Sequence, residues 1–232
     1  MIDYLEGEML LFDKPYEWTS FDLVNKIRVK LKHTLRKKNI KVGHAGTLDP
    51  LATGLMIVCT GKATKRIDQL SGLDKEYVAT IELGATTPTY DLESNVDNRF
   101  PTEHITREVI EAVLCQFKGD IEQMPPIYSA IKIKGEKAYD LARRGDKVEL
   151  KPRPITIHAL EILDFEMPRL VVRVHCSKGT YIRSLAHDIG QALSSGAHLT
   201  GLIRTRIGEF SLDGAQKIEN FVRNLQLAET NE

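Results

Sequence analysis

The apolar residues of this chain fall in short runs whose spacing switches repeatedly between two and about 3.6 residues, the mark of strands interleaved with helices. Tyr77, Ala79, Ile81 and Leu83 alternate with Val78, Thr80 and Glu82, the period of a half-buried strand. Met9 to Phe12 reads as a short strand ended by Lys14-Pro15, and the continuous apolar run Leu55 to Cys59 suits a fully buried one. Ile155, Ile157, Ala159 and Ile162, then Val171 to Cys176, predict two more, and Leu202 to Phe210 a last one. Helical spacing marks Phe21 to Leu31, with Ser20 as its N-cap, Thr106 to Phe117, and Tyr181 to Leu193 with its stripe at Ile182, Leu185, Ile189 and Leu193. Such alternation implies an α+β fold, a mixed sheet with helices packed on it. The 232 residues make room for one large domain or two small ones, with no repeat and no evident linker. Residues 123–154, Pro-flanked and basic, look like an excursion from the body.

Several classes are excluded early. Cys59, Cys115 and Cys176 are odd in number and far apart, so they form neither a disulfide framework nor a Cys-x-x-Cys metal site, and they suit a reducing compartment. The opening MIDYLEGEMLLFDKP puts acids where a signal peptide carries bases. No stretch approaches the roughly 18 apolar residues of a membrane span. A soluble, cytoplasmic protein is expected, with no membrane partner and no metal.

Charge sums to zero, 32 basic residues against 32 acidic ones, but it is segregated. Lys26, Arg28, Lys30, Lys32, Arg36, Lys37, Lys38 and Lys41 stand together without an intervening acid. Residues 132–153 form a second basic segment, whereas 91–122 is acidic. A basic run is often only a solvated face; two of them, offset by acids elsewhere, also fit phosphate binding by part of the surface.

The densest segment is Gly43-His-Ala-Gly-Thr-Leu-Asp-Pro-Leu-Ala-Thr-Gly54. Its glycines allow a tight backbone, and Pro50 biases Asp49 toward an extended conformation, so the loop can hold one carboxylate in place; a turn in which Asp49 only bonds its own backbone is the plainer reading. Gly61-Lys62 is no phosphate loop, because that pattern needs glycine at Met56 and Ser or Thr at Ala63.

GHAGTLDPLATG followed by TGKATK resembles the second motif of the TruB family of tRNA pseudouridine synthases. Further segments agree in order: DKPxxxTS at Asp13 to Ser20, KEYVA at Lys75 to Ala79, QMPPIYSAIKIKGEKAYDLARRG at Gln123 to Gly145, CSKGTYIRSLAHDIG at Cys176 to Gly190 and LTGLIRTRIGEFSLDGA at Leu199 to Ala215. The resemblance implies the pseudouridine synthase fold, a mainly antiparallel mixed sheet flanked by helices, with 123–154 as a thumb-like RNA-binding insertion. It also implies an isomerase that converts uridine 55 in the T-loop of tRNA to pseudouridine without a cofactor, acting as a monomer on the T-arm. An alternative of another class is a tRNA-binding folding chaperone whose isomerase activity is dispensable.

By the same resemblance Asp49 is the catalytic aspartate, Tyr77 the tyrosine at the base and Arg183 the arginine paired with the aspartate. The chemistry is consistent, since cleaving a glycosidic bond calls for an ionised carboxylate, either to attack the sugar carbon or to take up its developing positive charge, and a nearby arginine favours that ionised form. His44 is expected to wedge into RNA where the target nucleotide leaves the stack. Lys14, Asp91, Lys178 and Leu202 are expected to line the site. Read without the family, Tyr77 is a core tyrosine, His44 a satisfied core histidine and Arg183 a surface arginine. Glu17 and Ser94 stand where family members usually carry glycine, so those two turns are expected to differ in shape. After the last matched segment Ile218 to Glu232 is too short for the RNA-binding PUA domain of many relatives, which leaves residues 1–232 as a single catalytic domain.

Overall fold

The computed structural model describes residues 3–129, 132–133, 135–138, 144 and 150–230. Their contacts divide the chain into two compact units, one of Met1–Tyr77 with Leu202–Glu232 and one of Val78–Gly201. Both units are built of β-structure covered by helices, and the described strand pairings include antiparallel and parallel ones, as expected for a mixed α+β fold.

In the first unit the organising strand is β3 (Ala52–Thr60), buried along almost its whole length, which is why its sequence is a continuous apolar run rather than an alternating one. β1 (Met9–Lys14) and β2 (Val42–Ala45) pair antiparallel with it, Phe12 opposite Met56 and His44 opposite Val58. β12 (Ala197–Ile207) contributes the parallel pairing, Leu202 opposite Ala52 and Arg204 opposite Gly54. One core gathers Ala45, Leu55, Ile57, Cys59, Leu70 and Ile207. Helices α1 (Ser20–Thr34) and α5 (Ile218–Thr230) pack on each other, and Phe221 of α5 meets Phe12 edge to face at 5.3 Å.

In the second unit the residues of β4 (Lys75–Leu83) point alternately inward and outward, with Ala79, Ile81 and Leu83 buried. β11 (Arg169–Cys176) lies between β4 and β10 (Arg153–Glu166), and β7 (Gly119–Gln123) closes that side. Helices α3 (Arg107–Gln116) and α4 (Ile182–Ala192) pack together.

Two expectations are corrected, and one unassigned stretch gains an element. Ser20 is not the N-cap of α1; Thr19 is, because Asp22 at the third helical position returns a bond to the Thr19 backbone and completes a capping box. The glycine-rich segment is not all loop, since Val42–Ala45 and everything from Ala52 onward are strand, leaving six residues around Asp49. The C-terminal stretch after the last matched motif, given no element above, is helix α5, and it buries Ile218, Phe221 and Leu225. Within 123–154, Lys132–Ile133 and Glu136–Lys137 pair as a short hairpin, and residues 130–131, 134, 139–143 and 145–149 lie outside the described residues. No described helix is long and apolar enough to cross a membrane.

Candidate active site

Asp49 sits half-buried in the loop between β2 and β3, and three side chains from distant parts of the first unit grip that loop by its main chain. Ser20 uses its hydroxyl twice on one residue, donating to the Leu48 carbonyl (3.1 Å) and accepting from the Leu48 N–H (2.9 Å). Lys14, fully enclosed at 0% exposure, donates from Nζ to the carbonyls of Trp18 (2.5 Å), Pro15 (2.9 Å) and Pro50 (3.2 Å). Burial pushes the Lys14 ammonium down to about 8, with the Asp49 carboxylate pulling the other way.

The third side chain, Arg204, is 1% exposed and donates from Nε to the Leu55 carbonyl (2.8 Å), from Nη2 to Gly46 (3.1 Å) and from Nη1 to Thr47 (3.4 Å). Its planar fork therefore ties the chain before Asp49 to the chain after it. Gly54 allows the approach, because at φ +102 a Cβ there would lie 2.4 Å from the Arg204 carbonyl oxygen. The Asp49 loop is thus held by a buried polar framework, which is how a loop can keep one carboxylate at a fixed position.

The remaining candidates of this unit lie on its strands. His44, on β2, is half-buried. Burial first, and the Arg204 charge second, hold its imidazole below the ordinary histidine value, so it is neutral at pH 7. Leu202 is buried on β12, and Tyr77 is buried on the same face of β4 as Lys75 and Ala79, as the alternation predicts.

In the second unit the structure brings Arg183 and Asp91 together. Arg183, in the first turn of α4 and 6% exposed, is no surface arginine: its Nε lies 3.5 Å from Asp91 Oδ2, and its two terminal nitrogens donate to the carbonyls of Thr89 (3.2 Å) and Tyr128 (3.1 Å). Asp91 is buried as well, and its Oδ1 accepts from Thr89 Oγ1 (2.6 Å) and the Glu93 N–H (2.9 Å). Ser94 joins this turn, its hydroxyl accepting from the Thr89 N–H (3.1 Å) and bonding Thr89 Oγ1 (2.8 Å). The start of α4 is anchored by Gln123, which brackets the Tyr181 N–H and carbonyl at 2.8 and 3.1 Å, and by Ser184, which donates to the Met124 carbonyl (2.8 Å). Lys178 is exposed in the turn ahead of the helix.

Sequence reasoning gave Ser20 only a capping role and did not single out Arg204, Gln123 or Thr89, although all but Thr89 lie inside matched motifs. For Ser20 the available signal was Thr19-x-x-Asp22, which assigns the cap to Thr19 and frees the serine for another use.

Residues 32–182 match the family model described as TruB family pseudouridylate synthase (N terminal domain), and residues 183–232 that of the tRNA pseudouridylate synthase B C-terminal domain. The chain belongs to the TruB family of pseudouridylate synthases. Among its TruB relatives, the tRNA pseudouridine synthase B of Phocaeicola vulgatus is 57% identical over 231 residues, 100% of this chain and 98% of that one. The tRNA pseudouridine synthase B of Parabacteroides distasonis is 59% identical over 224 residues, 95% of each chain. Solved structures extend the likeness to more distant members of the fold. A chain of an H/ACA RNP bound to a substrate RNA containing 2'-deoxyuridine is 28% identical with a TM-score of 0.71, and one of a Cbf5-Nop10-Gar1 complex 30% identical at 0.70. This chain is covered to 98% and 95% in those two, and spans 56% and 54% of their length.

Proposed function

We propose that this TruB family member is a tRNA pseudouridine-55 synthase, an isomerase acting on the T-arm of tRNA in the cytoplasm. The observation that carries the reading is the Asp49 loop, whose backbone is fixed by Ser20, Lys14 and Arg204. Identity to proteins named tRNA pseudouridine synthase B along the full chain supports the choice of substrate.

In the proposed reaction the bond between N1 of the uracil and C1' of the ribose breaks, and Asp49 meets the positive charge at C1' either by bonding to it or as a counter-ion. The freed base turns, C5 bonds to C1', the hydrogen on C5 leaves as a proton and N1, released from the sugar, takes one up, so the product is an isomer of the substrate. Arg183, oriented by Asp91, is the cation that favours the ionised form of Asp49. Tyr77 stacks on the base, Leu202, Lys178 and Lys14 belong to the surroundings of the reacting nucleotide, and neutral His44 fills the gap in the RNA stack. Residues 1–232 work as one catalytic domain and a monomer, with 123–154 as a thumb-like insertion on the RNA. The basic run 26–41 supports phosphate contact, for Lys26, Arg36, Lys37, Lys38 and Lys41 are exposed.

The test is tritium release from tRNA carrying 5-tritiated uridine. The wild-type chain is expected to release it, and Asp49→Asn to bind the same tRNA while releasing none. Full release by Asp49→Asn would overturn the assignment, and a chaperone role alone would show as tRNA refolding without release by either protein.

A further inference from the structure

The turn that carries Asp91 makes a second contact with α4. Tyr90, the residue before Asp91, has φ +63, in the left-handed region that bulky side chains rarely enter. Its ring lies flat on the imidazole of His187, with centroids 4.0 Å apart and planes at 17°. His187 follows Arg183 by four residues on the helix, so the same helix face that takes Asp91 through Arg183 takes Tyr90 through His187. The main chain of Tyr90 is pinned at both ends, its N–H donating to the Thr87 carbonyl (3.1 Å) and its carbonyl accepting from the Leu199 N–H (2.9 Å). His187 Nδ1 is buried without a hydrogen-bond partner among the described residues, and the contact the ring makes with this turn is through its stacking face. Glycine would supply the left-handed φ without strain, and a tyrosine at that position is explained by the use of its ring.

We infer that the Tyr90–His187 stack is a positioning device, which holds the left-handed turn at residue 90 and thereby keeps the Asp91 carboxylate against Arg183. Tyr90 and His187 are positioning residues that act through Asp91, and the inference rests on the role given to Arg183 above.

The experiment measures pseudouridine formation at saturating tRNA, tRNA affinity, and hydrogen exchange of the Leu199 amide, whose acceptor is the Tyr90 carbonyl. Loss of the stack in His187→Ala or Tyr90→Ala is expected to slow the reaction about tenfold while affinity stays within about twofold, because the defect is one of orientation rather than binding. Tyr90→Phe keeps a ring and is expected to keep the wild-type rate. Adding Tyr90→Gly to His187→Ala is expected to bring the rate back to within about threefold, since glycine takes the left-handed conformation unaided. A wild-type rate in His187→Ala, or a loss that Tyr90→Gly leaves unrelieved, would overturn the inference. A wild-type protein that forms no pseudouridine defeats the reading of function instead. The stack is then judged by the Leu199 amide, whose exchange must quicken in His187→Ala and whose unchanged exchange refutes it.

Discussion

Replacing Arg204 with methionine keeps most of the side-chain volume and removes the three bonds that hold the Asp49 loop. Two of them, to Leu55 at 2.8 Å and Gly46 at 3.1 Å, have good length, and the third, to Thr47 at 3.4 Å, is weak. A bond from a charged donor contributes about 1.5–3 kcal/mol, and each carbonyl deprived of a buried donor carries a desolvation cost. Offsetting this, methionine relieves the protein of a buried cation, which burial itself disfavours. The net loss is about 3 kcal/mol, which for a chain of this length lowers the unfolding temperature by about 6–12 °C. The rate should fall further than stability alone requires. Gly46, Thr47 and Leu55 bracket Asp49, and an ångström of drift in a reacting group costs about a hundredfold. Arg204→Lys, with one ammonium in place of a fork, should recover part of both quantities. Thermal unfolding followed by circular dichroism gives the first quantity, and single-turnover tritium release below the unfolding range gives the second. An unfolding temperature within about 2 °C of wild type, together with an unchanged rate for Arg204→Met, would refute the argument that this guanidinium fixes the loop.

Two further outcomes follow from charge. Burial pushes the Asp188 carboxyl up to about 6 from 3.8, so the folded state holds a proton that the unfolded chain gives up, and stability falls as pH rises from about 4 through 6. Asp188→Asn should therefore stabilise at pH 8 by about 1–2 kcal/mol, allowing for solvent screening of this half-buried group, and change little at pH 3.5; equal unfolding temperatures at pH 8 would contradict it. Reversing the exposed Arg36, Lys37 and Lys38 to glutamate should weaken tRNA binding and flatten the plot of log affinity against log salt by about 2, measured by filter binding from low to moderate salt; an unchanged slope would show that the run is only solvated.

What was legible in the sequence is what a single element decides locally. The alternation in β4 is readable because each inward residue is apolar, and the spacing of Ile218, Phe221 and Leu225 gives α5 to anyone who applies it to the last stretch of the chain. Arg204 is the opposite case. Period two puts either Ile203 or Arg204 inward, and hydrophobicity chooses the isoleucine, yet Ile203 is 41% exposed and Arg204 1%. The choice is reversed by the carbonyls of residues 46, 47 and 55, about a hundred and fifty positions away, whose unmet acceptors make a guanidinium at that spot favourable. The Arg183–Asp91 pair is hidden for the same reason, with ninety-odd residues between its members. A motif, by contrast, carries residues that answer to partners in another block. Ser20 and Lys14 of the first motif close on Leu48 and Pro50 of the second, Arg204 of the last closes on Gly46 of the second, and Gln123 of the insertion closes on Tyr181 of the arginine motif. Spacing within a block shows which segments serve the site; only the fold shows which of their bonds hold it, and those bonds run between blocks.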